Sequence, residues 1–286
     1  MRIDSETYLK KLSKFQEKFS VILPVYKKNS YIEFKKSILS IIYQNVMPSE
    51  ILIIYDGPVS FKIKNFVEKL KKKLPIIVTI IVNPINVGLG KSLAKAVRLA
   101  KFNIVARMDA DDESNKLRFY YQLKIMKKDK PDVLGSNLLE LYKKDTKIRL
   151  NPSSNFKIRK YLFFRNPFNH PTVMFNKHSV IKAGNYQNVS YYEDYYLWIR
   201  MSFFKFKFMN LNKILCTSTV NNNFISRRSG FKYYKNYLVF LYKCKKINFY
   251  NFASILFLAI LRSVVFFLPK SFLNFLYSNF LRSNIK

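Results

Sequence analysis

The first hundred or so residues alternate short apolar runs with longer amphipathic stretches. Phe19 to Pro24, Ile51 to Tyr55, Ile76 to Val82 and Ile104 to Met108 are rich in β-branched and aromatic residues and too brief for helices, so they predict buried strands. Between them, Tyr31 to Gln44, Phe61 to Lys73 and Gly90 to Lys101 predict helices. This rhythm implies an α/β fold, a parallel sheet covered by helices on both faces. Ligands of such sheets sit outside the carboxyl ends of the strands. The polar residues found there are Tyr26, Asp56, Asn83, Asn86, Asp109 and Asp111. Asp56-Gly57-Pro58 and Asn83-Pro84 are also ordinary turn sequences. Gly88-Leu89-Gly90 lacks the spacing of a P-loop or a dinucleotide fingerprint and reads as a tight turn into a helix, whose N-terminus is open to an anion.

Met108-Asp109-Ala110-Asp111-Asp112 places three carboxylates in four residues directly after the apolar Ile104-Val105-Ala106. Core packing does not ask for that. On a strand the period of two points Asp109 and Asp111 to one side, where at ~4 Å and an effective dielectric near 20 their repulsion is roughly 4 kcal/mol. A divalent cation relieves it. Oxygen ligands suit Mg²⁺ or Mn²⁺, which in a two-carboxylate site usually carries a substrate diphosphate as well. The alternative is an acidic strand-to-helix turn in which Asp112 or Ser114 caps the next helix.

Further along, Lys116 to Lys128 predicts a helix, Val133 to Ser136 a strand leading into Asn137 to Tyr142, and Thr172 to Phe175 another strand behind Asn166-Pro167-Phe168-Asn169-His170-Pro171. Tyr192-Glu193-Asp194 precedes a helix at Tyr195 to Arg200. Asp194 fits an N-cap position. Glu193 has no such structural duty, and the surrounding Tyr191, Tyr192, Tyr195 and Tyr196 suit either a partly desolvated base with a sugar stacked beside it or plain core packing.

Composition narrows the classes. The 286 residues, 49% of them hydrophobic, suffice for one large domain or a domain with an appendage. A formal charge of +34 points to nucleic acid, membrane or anionic substrates, although Lys, Ile, Asn, Phe and Tyr are all served by A/T-rich codons and base composition is a competing source. No zinc finger, RNP-type motif or evident recognition helix accompanies the charge, so no nucleic-acid partner is expected. Cys216 and Cys244 form neither a metal pattern nor a disulfide framework, and the first residues, with Asp4 and Glu6, predict no signal peptide. A reduced, cytoplasmic setting follows.

Phe19-Ser20-Val21-Ile22-Leu23-Pro24-Val25-Tyr26, Glu50-Ile51-Leu52-Ile53-Ile54-Tyr55-Asp56-Gly57-Pro58, Asn86-Val87-Gly88-Leu89-Gly90, Ala106-Arg107-Met108-Asp109-Ala110-Asp111-Asp112 and Glu193-Asp194-Tyr195-Tyr196-Leu197-Trp198 resemble, in order and spacing, the successive blocks of family 2 glycosyltransferases. Asn169-His170-Pro171 and Ile225-Ser226-Arg227-Arg228 are similar to blocks of the branch that builds bacterial capsule, exopolysaccharide and lipopolysaccharide sugars. The resemblance runs from about residue 18 to residue 230.

It implies a GT-A fold and inverting transfer from a nucleotide-diphosphate sugar, UDP-linked by preference, to an acceptor hydroxyl. It also implies roles. Pro24 and Tyr26 line the nucleotide pocket, Asp56 bonds the nucleobase, Asp109 lies nearer the ribose or sugar and Asp111 nearest the metal. Asp194 is the general base, Glu193 orients it or the acceptor, Arg227 and Arg228 close on the diphosphate, and His170 meets a phosphate, the metal or the acceptor. Many relatives carry two acidic residues where this chain has Tyr55-Asp56.

The expected organisation is an N-terminal extension (1–17), a catalytic domain (18–230) and a helical C-terminal region (231–286). In that last region Phe252 to Leu268 is nearly all apolar but short for a span and interrupted by Arg262. Amphipathic helices lying on an anionic membrane, flanked by Lys243, Lys245, Lys246, Arg282 and Lys286, are expected, with a buried helical cap as the alternative. The expected setting is peripheral, on the cytoplasmic face of a bacterial inner membrane beside a polyprenyl-diphosphate-linked or glycan acceptor. A nucleotide-sugar-binding scaffold without activity and a basic nucleic-acid binder are the competing classes.

Overall fold

A computed structural model describes residues 17–143, 145–220, 230–267 and 283–284. In chain order the first half runs β1 (Phe19–Val25), α1 (Tyr31–Ile42), β2 (Glu50–Asp56), α2 (Phe61–Lys73), β3 (Ile77–Asn83), α3 (Leu89–Leu99) and β4 (Ile104–Arg107). The pairs β1/β2, β2/β3 and β1/β4 are all parallel. The period-two pattern explains why this layer is buried on both sides. Val21, Leu23, Ile51 and Ile53 join one core with α1 and α2, while Ile22, Leu52 and Ile54 join the other with α3. Ser30 and Ser60 start α1 and α2 by accepting the N–H of Glu33 (3.1 Å) and Ile63 (3.4 Å).

The second half adds β5 (Asp112–Ser114), α4 (Arg118–Asp129), β6 (Val133–Leu141), β7 (Thr146–Arg149), α5 (Asn155–Leu162), a 3-10 turn at His170–Thr172, β8 (Met174–Asn176), α6 (Lys177–Lys182), α7 (Glu193–Ser202) and β9 (Phe208–Thr219). β8 pairs antiparallel with both β4 and β6, β7 antiparallel with β6, and β9 parallel with β6 across an irregularity between Ser136 and Leu138. The result is a mixed sheet flanked by helices, ordered β7-β6-β8-β4-β1-β2-β3 along its main path.

Three local expectations change. β4 ends at Arg107, so Asp109 and Asp111 lie in the turn after it, where Asp112 N–H meets the Asp109 carbonyl at 3.4 Å. Turning the chain there avoids aligning like charges along one pleat. Asp112 and Ser114 cap no helix; they form β5 against Ser218 and Cys216 of β9. Asp194 is not an N-cap: that position is Tyr192, and Glu193 and Asp194 occupy the first turn, where the helix dipole still favours carboxylates.

The C-terminal α8 (Phe231–Lys246) packs on α7, and α9 (Phe252–Phe267) packs on α8. Phe240 stacks on Tyr192 (4.8 Å between centroids) and Tyr195 (4.9 Å), and Leu241 and Cys244 are buried in the same core as Trp198. Among the described residues no helix is long and apolar enough to cross a membrane.

Candidate active site

The carboxyl ends of β1 to β4 meet at one edge of the parallel layer. There β1 ends in the buried Pro24 and the half-buried Tyr26, whose N–H bonds Asn29 Oδ1 at 2.9 Å to form the turn into α1. At the end of β2, Asp56 is buried and its carboxylate ties down the β3–α3 loop. Oδ1 accepts Val87 N–H at 2.9 Å and Oδ2 accepts Gly88 N–H at 3.1 Å. Asn83 Nδ2 adds a contact at 3.3 Å. These bonds take up much of the carboxylate's capacity, leaving few lone pairs for the nucleobase contact expected of Asp56. The close approach behind it needs a glycine, since a Cβ on Gly57 (φ +85°) would lie 2.8 Å from Asn86 N.

Gly90 explains a contact that sequence spacing could not. A Cβ there would stand 2.5 Å from the Gln187 carbonyl and 3.0 Å from Glu193 Cγ. The bare first turn of α3 is thus what lets the Glu193 segment close onto this edge, and packing accounts for the glycine without a direct ligand role.

The acidic cluster after β4 is organised by a residue to which the motif alone assigns no duty. Arg107, buried at 2% exposure, forms a two-pronged ion pair with Asp109, with Nη1 2.6 Å from Oδ2. Burial works against the guanidinium's charge, but Asp109, Tyr186 and Asp112 outweigh it and its pKa rises. An arginine inside an apolar strand was the available signal, because a buried cation needs a partner. Ser37 Oγ also bonds the Asp109 carbonyl at 2.7 Å.

Asp111 remains at the exposed mouth of the cluster. Surrounding protein and the neighbouring Asp109 carboxylate push its pKa up to about 6. Asp112, buried against β9, is raised by desolvation and by both neighbouring aspartates. Among the described residues no three His, Cys, Asp or Glu side chains converge as a ready-made cation cage. The donor set nonetheless fits a divalent ion: an exposed carboxylate crowded by like charges is relieved by a cation, whose remaining shell diphosphate oxygens and water can fill. Asp111 is the ligand such an ion would meet first, because both Asp109 oxygens are engaged by Arg107.

The second acidic pair stands on the first turn of α7. Desolvation raises Glu193 to about 7, with the Asp194 charge adding to it. Asp194 is also raised by burial, against the opposing pull of Asn166, the Tyr195 N–H, Arg107 and Arg149. Its Oδ2 accepts Asn166 Nδ2 at 2.6 Å and its Oδ1 the Tyr195 N–H at 2.8 Å. His170 lies beside this carboxylate, Nδ1 at 3.9 Å from Asp194 Oδ2 and Nε2 at 3.0 Å from Tyr186 Oη. Burial and the charge of Arg107 drive the imidazole pKa well below its usual range. Arg107 thus acts electrostatically on both acidic groups, on His170 and on Tyr186.

Asn166 and Tyr186 are site residues that sequence reasoning gave no role. Asn166 bonds Asp194 from 28 residues away and Tyr186 bonds His170, and only the fold joins them. Of the tyrosines near Glu193, Tyr192, Tyr195 and Tyr196 are buried against the C-terminal helix or the core, and Tyr191 alone is exposed. Arg227 and Arg228 lie outside the described residues.

Comparison with known proteins places the chain in a family. Residues 20–184 match the family model described as glycosyl transferase family 2. The chain is 34% identical over 229 residues to the amylovoran biosynthesis glycosyltransferase AmsE of Erwinia amylovora, covering 79% of this chain and 85% of that one. It is 29% identical over 269 residues to the UDP-Gal:alpha-D-GlcNAc-diphosphoundecaprenol beta-1,3-galactosyltransferase of Escherichia coli, covering 93% and 97%. In fold it is similar to S. aureus TarS in complex with UDP-GlcNAc, with a TM-score of 0.62 at 18% identity over 92% of this chain and 73% of that one. It also resembles the mannosyltransferase PcManGT of Pyrobaculum calidifontis in complex with GDP-Man and Mn²⁺, with a TM-score of 0.61 at 14% identity over 80% and 64%. With a GT-A sheet, two acidic clusters around one buried arginine and relatives in polysaccharide biosynthesis, the chain belongs to glycosyl transferase family 2 and is a glycosyltransferase.

Proposed function

We propose that this enzyme is inverting and divalent-metal-dependent, and that it moves a sugar from a UDP-sugar to a hydroxyl of a polyprenyl-diphosphate-linked acceptor. The observation that carries the reading is the pairing, around Arg107, of an acidic cluster at the end of β4 with a second on the first turn of α7. One suits a metal diphosphate and the other supplies a base. Mn²⁺ or Mg²⁺, when bound, offsets the negative charge that grows on the departing diphosphate. Asp111 and then Asp109 are the residues that would hold it.

Asp194 takes the proton of the acceptor hydroxyl while that oxygen attacks the anomeric carbon from the face opposite the leaving group. One displacement inverts the centre. Glu193, beside Asp194 and packed on Gly90, orients the acceptor, and Pro24 and Tyr26 line the nucleotide pocket. Arg227 and Arg228 suit the diphosphate oxygens by their forked geometry. The uridine and lipid-linked assignments draw on the E. coli relative's name and on the UDP-GlcNAc held by the S. aureus neighbour. On this reading nucleic acid is not a partner.

The test is release of nucleoside diphosphate from a panel of UDP- and GDP-sugars with undecaprenyl-diphosphate glycans as acceptors. The expected result is UDP release from one UDP-sugar that requires both acceptor and Mn²⁺ or Mg²⁺. Undiminished turnover in EDTA, or release from GDP-sugars alone, would sink the corresponding part.

The C-terminal helices suit a place on the cytoplasmic face of a bacterial inner membrane. α9, at 16 residues, is about 24 Å long against a hydrocarbon core of about 30 Å. Phe252, Leu256, Phe257, Ile260 and Leu261 are exposed along it. Arg262 turns inward instead, bonding Tyr233 Oη at 3.1 Å and covering the Tyr237 ring, so the one charge in the run leaves the outer face apolar. Lys243, Lys245 and Lys246 close α8, and no Asp or Glu follows Asp194 in the chain. Full-length protein is expected to co-float with liposomes containing anionic lipid, and the double variant Leu256→Glu, Ile260→Glu to stay behind. Equal flotation of the two removes α9 from this role.

A further inference from the structure

We propose that His170 is the positioning residue of the general base: Tyr186 locks its imidazole in the Nδ1–H form, the ring presents that N–H to Asp194 Oδ2, and Asp194 Oδ1 is thereby the oxygen that receives the acceptor's proton. The inference rests on the reading of Asp194 as the base and specifies how the fold holds it.

His170 is neutral, since both burial and Arg107 oppose its charged form. A neutral imidazole has one N–H and one lone pair. Nε2 lies 3.0 Å from Tyr186 Oη, and Nδ1 faces a carboxylate oxygen at 3.9 Å. If Nε2 carried the proton, the Nδ1 lone pair would confront the Asp194 oxygen, acceptor against acceptor. With the proton on Nδ1, the phenol O–H donates to Nε2 and a donor faces the carboxylate. Only this arrangement suits both neighbours. Tyr186 keeps its own proton throughout, because desolvation raises its pKa.

The ring has little freedom to choose otherwise. It packs against Tyr186 (5.6 Å between centroids) and Trp198 (6.4 Å), and Trp198 is fully buried. His170 opens the 3-10 turn, which Val173 N–H to the His170 carbonyl (3.3 Å) and Thr172 Oγ1 to the Asn169 carbonyl (2.8 Å) hold in place.

The imidazole then distinguishes the two carboxylate oxygens, each of which accepts one hydrogen bond. Oδ2 accepts Asn166 Nδ2 at 2.6 Å and faces His170. Among the described residues Oδ1 accepts only the Tyr195 N–H, at 2.8 Å. Since each carboxylate oxygen accepts about two bonds, each keeps a lone pair; the His170 ring stands over the Oδ2 side, so the one on Oδ1 is assigned to the acceptor. The other groups acting on the carboxylate are Arg107 and Arg149, which favour its charge, while the Glu193 carboxylate neighbours it on the same turn.

Imidazole ¹⁵N NMR of the full chain tests this cleanly, because the sequence has only His170 and the exposed His178. The expected spectrum has one ring protonated at Nδ1 and not at Nε2, unchanged between about pH 5.5 and 8.5. Tyr186→Phe withdraws the donor from Nε2, leaving that buried lone pair unpaired, and is expected to loosen the ring and lower kcat roughly tenfold, with donor KM held within about twofold. His170→Asn places an amide N–H near the Nδ1 position and is expected to keep kcat within about fivefold, whereas His170→Gln, lacking a donor there, loses roughly 100-fold. A group that merely fills space would not separate Asn from Gln in this direction. An Nε2–H ring in the native enzyme overturns the proposal, as does unchanged kcat in Tyr186→Phe and His170→Gln; in either case an inactive Asp194→Asn leaves the base reading standing. Full activity of Asp194→Asn overturns both.

Discussion

Asp194→Asn is expected to lower kcat by roughly 10²–10⁴-fold while the affinity for nucleotide-sugar changes little, since the base acts on the acceptor's proton and not on the donor. The isosteric change is not silent structurally. Whichever way the new amide turns, its NH₂ meets a donor, either the Tyr195 N–H or Asn166 Nδ2. Turning Asn166 to compensate gives up its bond from Phe168 N–H at 3.2 Å. A cost of about 1–3 kcal/mol in stability is therefore expected beside the kinetic loss. Donor binding measured by calorimetry and Tm measured by scanning separate the two effects. Native-like turnover in the folded variant would remove Asp194 from the reaction. In the native enzyme kcat/KM is expected to rise with pH, because burial holds both carboxylates of α7 above their ordinary pKa and the base must be ionised to work.

Asp111→Asn is expected to abolish metal-dependent turnover and, measured without metal, to make the protein more stable above about pH 6. Both outcomes have one origin. The folded pKa of Asp111 is raised from 3.8 to about 6, so the folded state binds more protons than the unfolded one between those values and stability falls as pH rises through them. An amide escapes that loss. Because the side chain is exposed, solvent screening leaves a gain of roughly 1 kcal/mol. At pH 4 and below the gain should vanish. Mn²⁺ binding by the variant, followed by electron paramagnetic resonance, supplies a readout independent of turnover: undiminished binding would place the ion elsewhere. Gain of stability with loss of activity is the signature of charges gathered for chemistry at the expense of folding.

The parallel layer was legible because β1, β2 and β4 are bounded apolar runs and α1 and α2 begin at serines that cap them. Its edge was legible too, since Asp56, Asp109 and Asp111 follow strands in a fold that binds ligands there. The antiparallel half was harder. β9 alternates buried and exposed residues irregularly through Asn210, Leu211, Asn212 and Lys213, and β5 is three polar residues paired to it, so neither carries a clear period. Glu193 and Asp194 stood out as charges among aromatics, but what holds Asp194 did not. Arg107, Asn166, His170 and Tyr186 converge only after β4, β8 and α7 are packed, and the information lies in long-range geometry. His170, expected to meet phosphate, metal or acceptor, sits with Nδ1 3.9 Å from Asp194 Oδ2, a pairing the sequence did not single out.

The stack of Phe240 on Tyr192 and Tyr195 has a practical consequence for anyone recombining these enzymes. The rings that seat the C-terminal hairpin flank Glu193 and Asp194 in sequence and ride on the same turn of α7. Exchanging the hairpin for that of a relative just before α8 would cut through a shared core, leaving a foreign helix against tyrosines shaped for Phe240. A chimera is better spliced upstream of Tyr191, so that the acidic turn and its aromatic seat travel together.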